Sequence, residues 1–208
     1  MRYVLPVFAS GGALLCAGAL VIPSLPLGPL STHMIVHIGS MNVVAPLLAG
    51  FLVAISGRFF KTGIRAIWLV TGLQIAALWV WHLPVAQRLT EHAGWGTVLM
   101  HGSLFAAALM FWAALLHASP PARWHSVLAL LVTGKLACLL AALLVFAPRT
   151  LYAAGTALAH HGGSLEDQQL AGLLMITACP LSYVLAGIIM AAQAIGYFQP
   201  AVQNAQSA

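Results

Sequence analysis

Residues 32–41 contain the side chains of this sequence that are best suited to metal chemistry, namely His33, Met34, His37 and Met41. In one α-helix these four side chains project within an arc of roughly 100°, since each residue advances the helix by about 100°. Imidazoles and thioethers on one face are typical ligands for a soft or borderline metal such as copper. The His-x-x-x-His spacing also fits a simpler alternative, in which both histidines hydrogen-bond to neighbouring helices.

The composition places these residues in a membrane protein. Of the 208 residues, 62% are hydrophobic and only 5% are charged, whereas about a quarter of the residues of a soluble domain are charged. Seven of the eight Lys and Arg residues lie outside the apolar runs, so we attribute the net charge of +5 to membrane topology and expect membrane lipid, not nucleic acid, as a partner. Cys16, Cys138 and Cys179 lie in apolar runs without a CxxC motif, so the sequence predicts neither a disulfide nor thiolate metal binding.

Six apolar runs are long enough to cross a bilayer, which takes about 20 residues. They cover residues 3–23, 32–55, 66–83, 96–117, 126–147 and 170–197, and turn sequences separate them. We interpret the first run as a retained span, because no small-x-small cleavage site clearly follows it. The sequence therefore predicts an all-α polytopic membrane helix bundle of about six transmembrane helices, with a single transmembrane domain over residues 1–199 and a polar tail over residues 200–208.

The positive residues predict which way the bundle faces. They divide unevenly between its two sides, with Arg2, Arg58, Lys61, Arg65 and Arg123 on one side and Arg88 and Arg149 on the other. The positive-inside rule then places both termini in the cytoplasm, an N-in/C-in topology. In this orientation all three acidic residues and seven of the nine histidines fall in the outer half, which favours a functional site there.

The metal candidates differ in depth. A helix rises about 1.5 Å per residue, so Met41 lies roughly 12 Å deeper than His33, and one ion cannot contact the whole stripe. The candidates instead form tiers, which from the surface inward are His33 and His82 with the acidic pair Glu166 and Asp167, then His37 and His101, then Met41 and Met175. Thioethers prefer Cu(I), so a methionine tier below a histidine tier predicts transfer of reduced copper. In the alternative, both methionines simply fill a gap in the core.

Residues 164–169 combine a helix start with carboxylates. Ser164 fits an N-cap, and Glu166 and Asp167 then lie in the first turn, where the helix dipole favours negative charge. This structural role does not exclude metal ligation. Gln168 and Gln169 are unusual at the entrance to a span, and we expect them to hydrogen-bond between helices.

Lys135 and the tryptophans lead to predictions about the interior and the rim of the bundle. Lys135 lies near the middle of the fifth span, too deep to snorkel easily, so we expect it to face the bundle interior. Five tryptophans lie near span ends, and we interpret them as interfacial anchors, namely Trp79, Trp81, Trp95, Trp112 and Trp124.

A series of motifs extends from the second span to the last. The second span contains Ser31-Thr32-His33-Met34-Ile35 with His37, Pro46 and Gly50, and the later motifs are His82-Leu83-Pro84, His101, Phe111-Trp112 and Pro148-Arg149 before Tyr152. The most specific motif is LEDQQLAGLLM at residues 165–175. Together they cover about residues 30–190 and resemble the CtaG family of cytochrome c oxidase assembly factors, the multi-span family associated with copper.

The resemblance implies a copper-binding assembly factor, not an enzyme, that helps deliver or insert copper into a haem–copper cytochrome c oxidase. It implies a bacterial inner (plasma) membrane location with the metal site facing the periplasm, and Cu(I) as the bound ion. The implied partners are oxidase subunits or another copper chaperone, and a homo-oligomer is compatible with it. The implied metal ligands are the matching residues His33, Met34, His37, His82, His101, Glu166, Asp167 and Met175, to which the helical spacing adds Met41.

Two other functions stay open from the sequence. A membrane b-type cytochrome would hold haem between two histidines on different spans, and His37 and His101 lie at similar depth. The methionine and carboxylate neighbours favour copper over haem. A copper transporter would need ligands through the whole bilayer, whereas the inner half offers only Lys135, His117 and His125.

Overall fold

Long apolar helices form most of this protein. A computed structural model describes residues 27–56, 61–89, 94–152 and 164–206. Within these ranges the chain is helical without a β-strand, and five segments are long and apolar enough to cross a membrane. These segments are Pro29–Ile55, Ile64–Trp81, Trp95–Leu116, Pro120–Phe146 and Leu165–Ile195, and they confirm the last five predicted spans. The first predicted span, residues 3–23, lies outside the described residues.

Besides a short 3₁₀ turn at Pro120–Ala122, the described residues form seven α-helices and a π-helical turn. They are α1 (Pro29–Gly39), the π-turn (Ser40–Val44), α2 (Ala45–Ser56), α3 (Ile64–Trp81), α4 (Pro84–Leu89), α5 (Gly94–Leu116), α6 (Arg123–Phe146) and α7 (Leu165–Gln206). Proline marks several of the helix starts. Pro29 begins α1 and Pro84 begins α4, because the first turn of a helix does not need the N–H that proline lacks.

The long helices alternate in direction and pack in a closed order. α6 and α7 pack most extensively, α1 packs on α7, α2 and α3 pack on α5, and α3 also packs on α6. This alternation gathers the start of α1, the end of α3, the start of α5 and the start of α7 at one end of the bundle. Because this end carries His33, His82 and His101, we call it the histidine end.

The start of α7 has the polar contacts that the sequence predicts. The Ser164 hydroxyl accepts a hydrogen bond from the Asp167 N–H at 3.2 Å, as an N-cap does. The Gln168 side chain joins neighbouring segments, since its Oε1 accepts from the Leu151 N–H at 2.7 Å and its Nε2 donates to the Leu144 carbonyl at 3.2 Å. Ser164 thus caps α7, and Gln168 fixes α7 against the end of α6.

The prediction for Lys135 is wrong, because its side chain is exposed on the outer surface of α6. The buried face of α6 consists mainly of small residues, including Thr133, Gly134 and Ala137. Gly134 lies 3.5 Å from the Tyr183 ring of α7, measured from an ideal Cβ position. Such close packing leaves no room for a lysine, and the residue after Gly134 points about 100° away from that face.

At Gly172 the helices α6 and α7 approach each other closely. A Cβ at this position would lie 2.7 Å from Val145 Cγ2, 3.0 Å from the Ala141 carbonyl oxygen and 3.1 Å from Leu144 Cβ. The Ala141 oxygen belongs to a helix backbone and cannot rotate away. Any side chain at residue 172 must therefore separate the two helices.

We expect Gly172→Ala to lower the free energy of unfolding by about 1–3 kcal/mol through overpacking. Gly187→Ala is the matched control in the same helix, because a Cβ there meets no atom within 4 Å. The measurement is the Tm of each purified variant in detergent, with a lower value for Gly172→Ala alone. Equal Tm values for the two variants would contradict the close contact.

Candidate metal site

Four histidines meet at the histidine end. α1 carries His33 and His37, α5 carries His101, and His82 follows α3 directly. The ring centroid of His37 lies 4.3 Å from that of His33, 4.8 Å from that of His101 and 6.3 Å from that of His82. The rings of His33 and His101 are 5.2 Å apart. The structure thus brings together all four histidines that the sequence places in the outer tiers.

Three of these histidines lie close enough to share one ion. One ligand nitrogen from each of His33, His37 and His101 lies within 4.8 Å of the other two. Metal–nitrogen bonds of about 2.0 Å place two ligand nitrogens at most about 4 Å apart, so the rings need to move by only about 1 Å. His37 is buried and the other two are half-buried, so an ion here is shielded from bulk solvent yet reachable.

Backbone carbonyls fix the tautomers of two of the histidines. His82 Nδ1 lies 2.6 Å from the Leu78 oxygen, and His101 Nδ1 lies 2.9 Å from the Thr97 oxygen. Because a carbonyl can only accept, each Nδ1 carries the proton, and the Nε2 of the neutral ring keeps its lone pair free. Metal-binding histidines in proteins usually have this arrangement.

His82 is held in place and kept neutral by its surroundings. Burial lowers the pKa of His82 from the usual 6.5, so the ring remains uncharged and keeps a nitrogen lone pair that can bind a metal. The Tyr152 hydroxyl donates to the His82 carbonyl oxygen at 3.2 Å. Burial raises the pKa of Tyr152 to about 12, so this hydroxyl keeps its proton.

Asp167 positions α1 from the neighbouring helix. Its carboxylate accepts from the Leu30 N–H at 2.8 Å, the Ser31 N–H at 3.1 Å and the Ser31 hydroxyl at 2.6 Å. These are N–H groups of the first turn of α1, which have no partner within the helix. At Gly28 a Cβ would overlap the Asp167 carboxylate, so this close approach requires glycine. Asp167 therefore acts on α1 as an N-cap supplied from α7.

The acidic pair is not part of the three-histidine group. Both Asp167 oxygens are occupied by α1, and the Glu166 side chain is exposed. The sequence predicts both residues as metal ligands, whereas the contacts of Asp167 give it a structural role.

A small cavity lies directly below the histidines. Its volume is about 20 Å³. The residues that line it are Met34, His37, Ile38, Met41, Asn42, Leu78, His82, Ala137, Met175, Cys179 and Tyr183. Met41 and Met175 form the deepest tier predicted from the sequence, and both are buried. Met41 reaches this cavity from the π-turn, and Met175 reaches it from α7.

The π-turn explains how Met41 reaches this position. Pro46 has no N–H to donate to residue 42, and the helix widens just before it, so that the Ala45 N–H bonds to the Ser40 carbonyl. The Met41 carbonyl is thereby freed and accepts the Trp112 indole N–H at 3.0 Å. Trp112 is 4% exposed, so its prediction as an interfacial anchor is wrong.

Cys179 and Asn42 line the cavity and were not predicted as ligands from the sequence. Cys179 is one turn beyond Met175 on α7, and its spacing of four residues is the signal that was available. Asn42 follows Met41 in the π-turn, and both residues are buried.

Most of the chain matches one known protein family. The family model described as cytochrome c oxidase caa3 assembly factor (Caa3_CtaG) matches residues 7–196, which is most of the chain. No curated protein and no solved structure matches it.

Proposed function

Since this chain belongs to the family of cytochrome c oxidase caa3 assembly factors, we propose that it binds copper at the histidine end and passes it to the oxidase during assembly. The observation that supports this proposal is the group of His33, His37 and His101, with ligand nitrogens within 4.8 Å of one another. Copper is the cargo in this proposal, and the chain itself performs no catalysis. The receiving partner is an oxidase subunit or another copper chaperone.

The ligands of the three-histidine group suit a copper ion that must be released again. Three neutral imidazoles bind copper without adding negative charge, and imidazole suits copper as well as zinc. A shallow groove of about 500 Å³ runs beside His101 and is lined by Ser40, Thr97, Val98, Gly102 and Phe105. A partner docked there reaches His101 without opening the bundle.

The two alternative functions fit the geometry less well. The rings of His37 and His101 stack face to face, with an interplanar angle of 6° and centroids 4.8 Å apart. An iron between two axial imidazoles needs their nitrogens to face each other across a porphyrin, which stacked rings do not allow. For a transporter, Phe111, Trp112 and Tyr183 pack against one another below the cavity and obstruct a path towards the other end.

The proposal is tested by the variant His33→Ala/His101→Ala in cells that lack the wild-type chain. At limiting copper we expect normal levels of the variant but loss of active, copper-loaded cytochrome c oxidase. His117→Ala is the control, since His117 lies at the opposite end of α5. Full oxidase activity in the double variant would overturn the proposed function. A Soret absorption in the purified wild-type protein would support the cytochrome instead.

The orientation of the site is a separate prediction. The excess of Lys and Arg at the end opposite the histidines predicts that both termini are cytoplasmic and that the histidine end faces the periplasm of the plasma membrane. A reporter fused after Ala208 is expected to be active only in a cytoplasmic format, and a periplasmic reporter at the same position serves as the comparison. Activity of the periplasmic fusion would place the histidines on the cytoplasmic side.

A further inference from the structure

We infer that the cavity below the histidines is a second, sulfur-rich metal site for Cu(I), formed by Met41, Met175 and Cys179. The inference rests on the proposed function, because it takes copper as the cargo of the upper site. It adds a cysteine that the sequence does not predict as a ligand, and it assigns the deep methionines a position of their own.

The dimensions of the cavity fit a single ion. Its volume of about 20 Å³ is close to the roughly 10–15 Å³ that one water-sized probe needs. Met175 is 2% exposed, Met41 is 5% exposed and Cys179 is 8% exposed, so all three sulfurs are shielded from bulk water. Two of them come from α7 and one from the π-turn, so the site joins two separate segments of the bundle.

The ligand types select the cuprous ion. Thioethers and thiolates are soft ligands that favour Cu(I), and thioethers remain neutral at any pH. When Cys179 binds, its thiol proton leaves to solvent, and the Cu(I)–thiolate unit is then uncharged. A neutral unit avoids most of the desolvation penalty that a divalent cation would suffer in this interior. No electron is transferred in this step.

Asn42 provides independent evidence that the cavity holds something. It is 9% exposed, lines the cavity, and neither its amide nitrogen nor its amide oxygen has a hydrogen-bond partner among the described residues. Buried amides are almost always bonded, so this residue points to an occupant of the cavity. Asn42 and Cys179 line the same cavity, so the free amide faces the space that the ion would occupy.

The position of the cavity connects it to the upper site. His37 and His82 line its upper part, so His37 borders both metal positions. Met41 is one turn beyond His37, about 6 Å further along the helix axis, which makes a direct transfer between the two positions short. Tyr183 forms the floor and stacks on Trp112 with centroids 5.8 Å apart. Copper therefore reaches the lower position from the histidines and returns by the same way.

The test is titration of the purified full chain with Cu(I) alone, under reducing conditions and against a competing chelator. The wild type is expected to bind two equivalents, and Cys179→Ser and Met41→Leu/Met175→Leu are each expected to bind one. X-ray absorption of the wild type should show sulfur ligands that the Cys179→Ser variant loses. Cys138→Ser and Met110→Leu are the matched controls, since neither Cys138 nor Met110 lines the cavity.

The outcomes separate the lower site from the upper one. If Cys179→Ser still binds two equivalents with unchanged sulfur scattering, the cavity holds only a buried water, and the inference is overturned. If His33→Ala/His101→Ala also binds two equivalents, the proposed function fails independently. Loss of one equivalent in each variant, with sulfur scattering retained in the histidine variant, supports both sites.

Discussion

Replacing His37 by alanine is expected to weaken copper binding at the upper site by more than about 100-fold. Removing a residue that only supports a metal ligand commonly costs 10–100-fold in affinity, and loss of a ligand itself costs more. His37 is also the most central histidine, with ring centroids 4.3 Å from His33 and 4.8 Å from His101. The measurement is the dissociation constant for Cu(I) of the purified protein in detergent.

Two further variants make this result interpretable. His37→Gln keeps a polar side chain of similar length in this buried position, so it separates loss of the ligand from collapse of the helix packing. His125→Ala removes a histidine from the other end of the bundle, where Trp68 donates to its Nδ1 at 3.3 Å, and should leave copper affinity unchanged. Wild-type affinity in both His37 variants would mean that copper does not bind at this group.

Asp167→Ala is expected to lower the free energy of unfolding by about 3 kcal/mol or more, because each unsatisfied buried donor costs about 1–3 kcal/mol. The change removes the acceptor for the Leu30 N–H and the Ser31 N–H and leaves the Ser31 hydroxyl only the Asp167 backbone carbonyl at 3.2 Å. Leu30 and Ser31 are buried, so water does not readily replace the lost bonds. Thermal unfolding of the purified variant measures the effect.

The same variant should also disturb the metal site, because Asp167 fixes the start of the helix that carries His33 and His37. Glu166→Ala is the matched control, since its side chain is exposed and no loss of stability is expected. Asp167→Asn keeps one oxygen acceptor and should fall between the wild type and Asp167→Ala. If Asp167→Ala is as stable as Glu166→Ala but no longer binds copper, then Asp167 acts as a metal ligand and not as the cap of α1.

Most of the fold could be predicted from the length of the apolar runs and from the spacing of residues close together in the sequence. The last five spans are readable from apolar runs, because a bilayer imposes a length that a sequence must supply in one piece. Ser164 as an N-cap was predictable because the cap contact joins residues only three positions apart. The sequence predicted that His33, His37, His82 and His101 lie towards one end of the bundle, since helices of known direction bring residues of similar depth to similar levels, but which of their rings meet was decided by the tertiary structure.

Contacts across the bundle depend on which faces the helices present to one another, and the tertiary structure alone decided them. Lys135 faces outward because α6 packs its small residues on α7, and apolar composition cannot tell which side of a uniformly hydrophobic helix is buried. Asp167 caps a helix that begins 138 positions earlier than the carboxylate, at Pro29, which no local pattern encodes. Met41 and Asn42 are adjacent in the π-turn and both line the cavity, although helical periodicity places neighbouring side chains about 100° apart.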